Sequence, residues 1–114
     1  MEFYVYTFAM KQGNILKIKS LSKGWSDNDK VMLHACFKLL INCIEKENLL
    51  SDETFDWKHS NEVVKEKEEL KLLYNWWKQR VKKDLKVDSL NDSQYHEDNS
   101  MLIRLIKIRH RLWT

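Results

Sequence analysis

Apolar residues recur at helical spacing in three stretches of the chain. Between residues 30 and 47 they surround almost the whole helical surface, which is typical of a central, largely buried helix. Residues 61–85 and 94–112 each show one apolar face at spacings of three and four. We therefore predict three helices, and the polar links between them favour antiparallel packing. The face of the second helix comprises Val63, Leu70, Leu73, Tyr74, Trp77 and Val81.

The beginning of the chain has a different pattern. Residues 3–8 are a dense run of aromatic and β-branched side chains, and residues 15–19 alternate isoleucine or leucine with lysine. Gly13, between the two runs, can take the positive φ angle of a tight turn. We predict a β-hairpin over residues 2–20. The complete prediction is a mainly α (α+β) fold, a single domain over residues 1–114 with a three-helix antiparallel core and an N-terminal β-hairpin.

Polar segments separate the helices and contain their predicted caps. Ser60 or a neighbour can cap the second helix through its side-chain oxygen. The loop over residues 48–60 also carries Phe55 and Trp57, which we expect to fold back onto the core. His34 lies within the buried first helix, where we expect a hydrogen-bonded core residue and no ligand.

Composition narrows the class of protein. The 114 residues are 43% hydrophobic and 32% charged, without proline, which suits one helical globular domain. Cys36 and Cys43 are separated by two helical turns, about 10.5 Å, so they are too distant for a disulfide. Residues 1–12 lack the basic start of a signal peptide, and no apolar run approaches a membrane span. We expect a cytoplasmic protein.

Charge is segregated along the chain. The formal charge is −5 over residues 45–69 and +5 over residues 70–114. Cations at helix C-termini are favoured by the helix dipole alone. They could equally form a basic face for RNA, DNA or an acidic protein surface, and both interpretations remain open. The basic candidates for partner binding are Lys78, Arg80, Lys82, Lys83 and Lys86 on the second helix and Arg104, Lys107 and Arg111 on the third.

Two adjacent tryptophans belong to the second helix. Side chains of neighbouring helical residues point about 100° apart, so Trp76 and Trp77 cannot face the same core. Trp77 fits the apolar face, whereas Trp76 lies on its flank, where it either covers the hairpin or anchors a partner. Because tryptophan is enriched in binding hot spots, Trp76 is our main interface candidate.

Enzymatic motifs are few. The sequence has no Gly-rich phosphate loop, no GxSxG elbow and no CxxC pair, and we predict no catalytic residue, metal ligand or cofactor. Glu62, Glu66 and Glu69 share one helix face, as do the Mg²⁺-binding carboxylates of all-α nucleotide pyrophosphohydrolases. Lys65 and Lys67 among them instead favour an ordinary solvated face. A Mg²⁺-dependent pyrophosphohydrolase is therefore only an alternative.

Three segments together resemble a family of small proteins encoded by tailed bacteriophages. They are LHACFKLLINCIEKE at residues 33–47, LYNWW at residues 73–77 and YHEDNSMLIRLIKIRHRLWT at residues 95–114. The resemblance covers roughly residues 25–114 and implies a phage gene product acting in a bacterial cytoplasm. It carries no known reaction, so it assigns no catalytic residue.

The expected function follows from this combination. We expect a non-enzymatic phage modulator that binds and inhibits or redirects a host protein or ribonucleoprotein; a CRISPR effector or another defence complex is a candidate target, which would make the chain an anti-CRISPR protein. The alternative from another class is a nucleic-acid-binding protein that uses its basic helical face, for example on RNA. The sequence is compatible with a monomer or a homodimer.

Overall fold

The computed structural model describes residues 16–21, 27–84 and 92–112. This part of the chain contains helices α1 (Asn28–Glu45), α2 (Asn61–Asp84) and α3 (Asp92–Ile108), followed by one 3-10 turn, Arg109–Arg111. The mainly helical fold is confirmed. The third helix is shorter than predicted, because its last residues tighten into the 3-10 turn.

The predicted N-terminal hairpin is not supported. Residues 2–15 lie outside the described residues, and residues 16–20 form no strand. A two-stranded ribbon is only marginally stable by itself. The described segment is instead attached through a side chain, since the Ser20 hydroxyl lies 2.7 Å from Nδ1 of His34. His34 is fully buried and packs edge-on against Trp77, with 4.8 Å between the ring centroids, so its predicted place in the core is confirmed.

Local signals explain where the helices begin and end. The Val63 amide donates to the Ser60 hydroxyl at 3.2 Å, which caps α2 as predicted. After α1, Asn48 takes a left-handed conformation with φ 52°, and the Leu49 amide donates to the Cys43 carbonyl at 3.0 Å. This bond turns the chain back onto the end of α1, and asparagine tolerates the left-handed conformation better than most residues.

The core lies between the three helices and the loop that joins α1 to α2. Trp57 is 1% exposed, and its ring nitrogen donates to the Leu49 carbonyl at 2.9 Å. The expected return of this loop to the core is thus confirmed. Cys36 and Cys43 are free thiols, and burial raises the pKa of both. The largest fully buried side chains are Trp57, Phe37, Leu40, Leu70, Leu73 and His34.

The predicted antiparallel packing holds for α2 and α3. Glu69 pairs with Arg104, and further along α2 the buried Arg80 pairs with Asp98, nearer the start of α3. The first helix is different. Side chains of α1 between His34 and Glu45, about 17 Å of helix, contact side chains of α2 between Tyr74 and Lys78. The antiparallel placement of α1 in the three-helix core stays a prediction.

Candidate binding surface

Arg80 is an internal residue and not part of an exposed basic face. Its guanidinium donates to both carboxylate oxygens of Asp98, at 2.7 and 2.8 Å, and the two side chains are only 5% and 10% exposed. Gln94 adds a bond of 2.9 Å to the same carboxylate. This corrects the sequence prediction. The signal was present, because Arg80 follows Leu73 and Trp77 at the spacing of the buried face.

The acidic middle of the chain and its basic end bind each other. Arg104 donates to both carboxylate oxygens of Glu69, and this hydrogen bonding raises the pKa of Arg104. Arg111 donates to Glu66 at 2.6 Å, and its guanidinium carbon lies 4.9 Å from the centroid of the Phe55 ring. These two arginines were predicted to bind a partner, but their charge is largely satisfied within the molecule.

Glu66 also accepts a hydrogen bond from His110 at 2.8 Å. Burial opposes the ionised form of Glu66, but the bonds from Arg111 and His110 outweigh it, so the pKa of this carboxyl lies below its ordinary value. Ionised carboxylates with guanidinium partners form a structural ion-pair network. The segregated charge of the sequence is therefore, for these groups, a feature of packing between α2 and α3.

The carboxylates proposed for Mg²⁺ line a shallow pocket of about 390 Å³. Glu66 and Glu69 already have guanidinium partners there, and a Lys65 side chain also lines the wall. Within residues 16–21, 27–84 and 92–112 no group of three His, Cys, Asp or Glu is placed to hold a metal ion. In this pocket Glu66 is paired with Arg111 and Glu69 with Arg104.

Three lysines lie near enough to Lys38 of α1 for their charges to act on it: Lys19, Lys46 and Lys78. Lys78 lies 2.7 Å from Glu45, which also accepts a bond from the Tyr74 hydroxyl at 2.6 Å. The pKa of Lys38 is lowered, first by burial and then by the positive charges of three neighbouring lysines. We call this group the lysine face; it comprises Lys19, Lys38, Lys46 and Lys78.

The Glu45 carboxylate lies beside this group. Hydrogen bonds from Lys78 and Tyr74 lower the pKa of Glu45, so it is ionised and offsets one of the four charges. The Lys78 ammonium also lies 5.3 Å from the centroid of the Tyr74 ring. Of this set the sequence prediction named only Lys78. The other three lysines come from separate parts of the chain, so no local sequence pattern predicted their grouping.

Trp76 has a structural role that the sequence left open. Its ring nitrogen donates to Glu97 at 2.7 Å, and its ring lies 5.3 Å from that of Phe37. This hydrogen bond lowers the pKa of Glu97. Through these contacts Trp76 of α2 links α1 and α3. Its side chain is half-buried, so only part of its surface is available to a partner.

Three of the predicted basic residues remain available. Lys82, Lys83 and Lys107 are exposed and make no ion pair with the described parts of the chain. Lys82 and Lys83 lie in the last turn of α2, whereas Lys107 lies at the end of α3. Lys86 lies outside the described residues.

No family model, curated protein or solved structure matches this chain. In the described portion, none of the helices has both the length and the apolar character that a membrane crossing would require. The candidate site therefore stands on its own geometry: the lysine face and the exposed lysines at the end of α2.

Proposed function

We propose that this chain is a non-enzymatic binding protein that attaches to an anionic surface of a macromolecular partner. The lysine face and the exposed Lys82 and Lys83 supply the attraction. Together with the resemblance to phage proteins, this supports a phage modulator that binds a host protein or ribonucleoprotein in the bacterial cytoplasm. CRISPR effectors and other defence complexes, which carry nucleic acid, are the first targets to test.

The observation that supports the proposal is that the arginines and the lysines differ in whether they are paired with carboxylates. Arg80, Arg104 and Arg111 are paired with carboxylates of the same chain, whereas most of the lysines named above are left to solvent. A group of exposed cations with few carboxylates among them creates a positive potential that attracts an anionic partner and accelerates association. Lysine suits this use, since it is a flexible point charge and needs no fixed bidentate geometry.

Affinity capture from a bacterial lysate tests the proposal. Tagged wild-type chain is compared with the double variant Lys82→Glu, Lys83→Glu, each with and without nuclease. We expect wild type to retain a host protein in stoichiometric amount after nuclease, and the variant to retain much less. Equal capture by both chains would exclude Lys82 and Lys83 from the interface. Trp76 is a poor first variant, because its contacts with Phe37 and Glu97 stabilise the fold.

Direct binding of nucleic acid is the second candidate, favoured by one observation. The Tyr74 ring lies beside Lys78 within the lysine face, and an aromatic ring among cations is a common arrangement in single-strand binding. Affinity for a labelled oligonucleotide should then fall as salt rises, with a log–log slope of about −0.7 for each phosphate neutralised on a single strand. A flat salt dependence, or no binding at about 50 mM salt, would remove this candidate.

Pyrophosphohydrolase activity is the weakest alternative, since Glu66 and Glu69 are held by arginine. Release of phosphate or pyrophosphate from a panel of nucleotides with Mg²⁺ tests it. We expect no release above that of the nucleotides alone. Release that disappears in a Glu62→Gln, Glu66→Gln variant would restore the enzyme hypothesis.

A further inference from the structure

Helix α3 exposes a second apolar side, opposite the one that faces the core. Tyr95, Ile103 and Ile106 are 51%, 51% and 50% exposed. With 3.6 residues per turn, these three side chains fall within an arc of about 100° together with the half-buried Asn99 and with Leu102, which also packs partly against the core. We call these five residues the α3 stripe. A helix that is apolar on two sides needs a second partner for the outer one.

The α3 stripe carries no charge, although 32% of the residues in the chain are charged. Its ends are charged with opposite sign. Asp92 begins the helix, and Lys107 and Arg109 follow Ile106 at the other end. All three are exposed and have no ion pair with residues 16–21, 27–84 or 92–112. Interface cores are likewise depleted in charge and surrounded by a charged rim.

We infer that the α3 stripe is the surface on which two copies of this chain associate, with their α3 helices antiparallel across a two-fold axis. An isologous contact requires a surface that complements itself. Antiparallel pairing places the uncharged stripes together and brings Asp92 of one copy opposite Lys107 and Arg109 of the other. Parallel pairing would instead bring like charges together at both ends. This end-to-end complementarity is what favours a second copy over an unrelated protein.

The α3 stripe is small for a stable interface. Helix α3 has 17 residues and is therefore about 25 Å long. One helix face of that length covers roughly 400 Å² per copy, about half of the ~800 Å² per partner of a standard interface. The dimer should therefore be weak and reversible. The lysine face contains no residue of α3, so association leaves it available for the partner proposed above.

Sedimentation velocity of the full chain tests the inference. Monomer mass is 13.9 kDa, and we expect the weight-average mass to rise towards twice that value between about 5 and 500 μM, the range of a weak interface. The variant Ile103→Glu, Ile106→Glu should remain a monomer. The matched control is Leu39→Glu on α1, which is 50% exposed like Ile106 and should dimerise normally. Circular dichroism verifies that each variant is folded.

A charge swap tests the orientation. The single change Asp92→Arg should weaken the dimer at least several-fold by placing like charges together. Adding Lys107→Asp and Arg109→Asp should restore affinity, because the charges at the two ends are then reversed. A wild-type chain that stays monomeric at every concentration overturns the inference, as does equal loss of the dimer in Leu39→Glu. A dimer that is lost on Ile103→Glu, Ile106→Glu but not restored by the swap overturns the antiparallel arrangement.

Discussion

The buried pair of Arg80 and Asp98 gives the most quantitative expectation for stability. Replacing Arg80 by Ala leaves the Asp98 carboxylate only 10% exposed and without its two guanidinium bonds of 2.7 and 2.8 Å. Removing one partner of a buried ion pair typically costs about 3–5 kcal/mol of unfolding free energy. Gln94 still donates to Asp98 at 2.9 Å, which favours the lower end, about 3 kcal/mol. Small domains have only about 5–15 kcal/mol in total, so the effect is large.

Urea unfolding followed by tryptophan fluorescence and circular dichroism measures this effect. The control is Lys71→Ala, which removes an exposed pair with Glu68 on the same helix and should change the unfolding free energy by no more than about 0.5 kcal/mol. Replacing both members, as Arg80→Leu with Asp98→Leu, should recover most of the loss, since an apolar pair of similar size often substitutes for a buried ion pair. A loss below about 1 kcal/mol in Arg80→Ala, within the range of surface pairs, would refute the reasoning.

Two further expectations follow from the α2–α3 contacts and the loop. The pKa of Glu66 lies below its ordinary value of 4.5, so its contribution to stability is complete above that pH and is lost as the pH falls through the lower folded value. Unfolding at pH 3–5 should therefore depend less steeply on pH in Glu66→Gln, and an unchanged pH profile would contradict this. Trp57→Phe removes the hydrogen bond to Leu49 and leaves a buried acceptor and a cavity, with an expected loss of about 1–3 kcal/mol in the same urea assay. An unchanged midpoint would show that the loop does not contribute to the core.

Periodicity along the chain predicted the helices because it depends only on local spacing. Val63, Leu70, Leu73 and Trp77 were assigned to one apolar face of α2, and all four are buried. The same helical spacing places Arg80 on this face, but its charge favoured a position at the protein surface. The carboxylate that makes its burial tolerable, Asp98, is eighteen positions away on another helix.

Contacts between helices could not be predicted from the sequence, for a physical reason. Glu69 and Arg104 are thirty-five positions apart, and their pairing depends on the register of α2 against α3. The lysine face likewise combines residues from separate parts of the chain, which no periodic pattern brings together. The hairpin prediction rested on residue types, alternation and a turn glycine, all of which are local signals. Residues 16–20 form no strand, and Ser20 contacts His34 of α1 through its side chain.

The central claim is that the lysine face recruits an anionic partner, and one comparison tests it most directly. Capture from nuclease-treated bacterial lysate is quantified for wild type, for Lys19→Glu with Lys46→Glu, and for a control with the same change in charge, Lys58→Glu with Lys65→Glu. All four lysines are exposed, and within the described residues none of them forms an ion pair. We expect the partner to be lost from the first variant and retained by the control. Equal retention by both variants, or equal loss from both, would show that net charge or another surface is responsible and would contradict it.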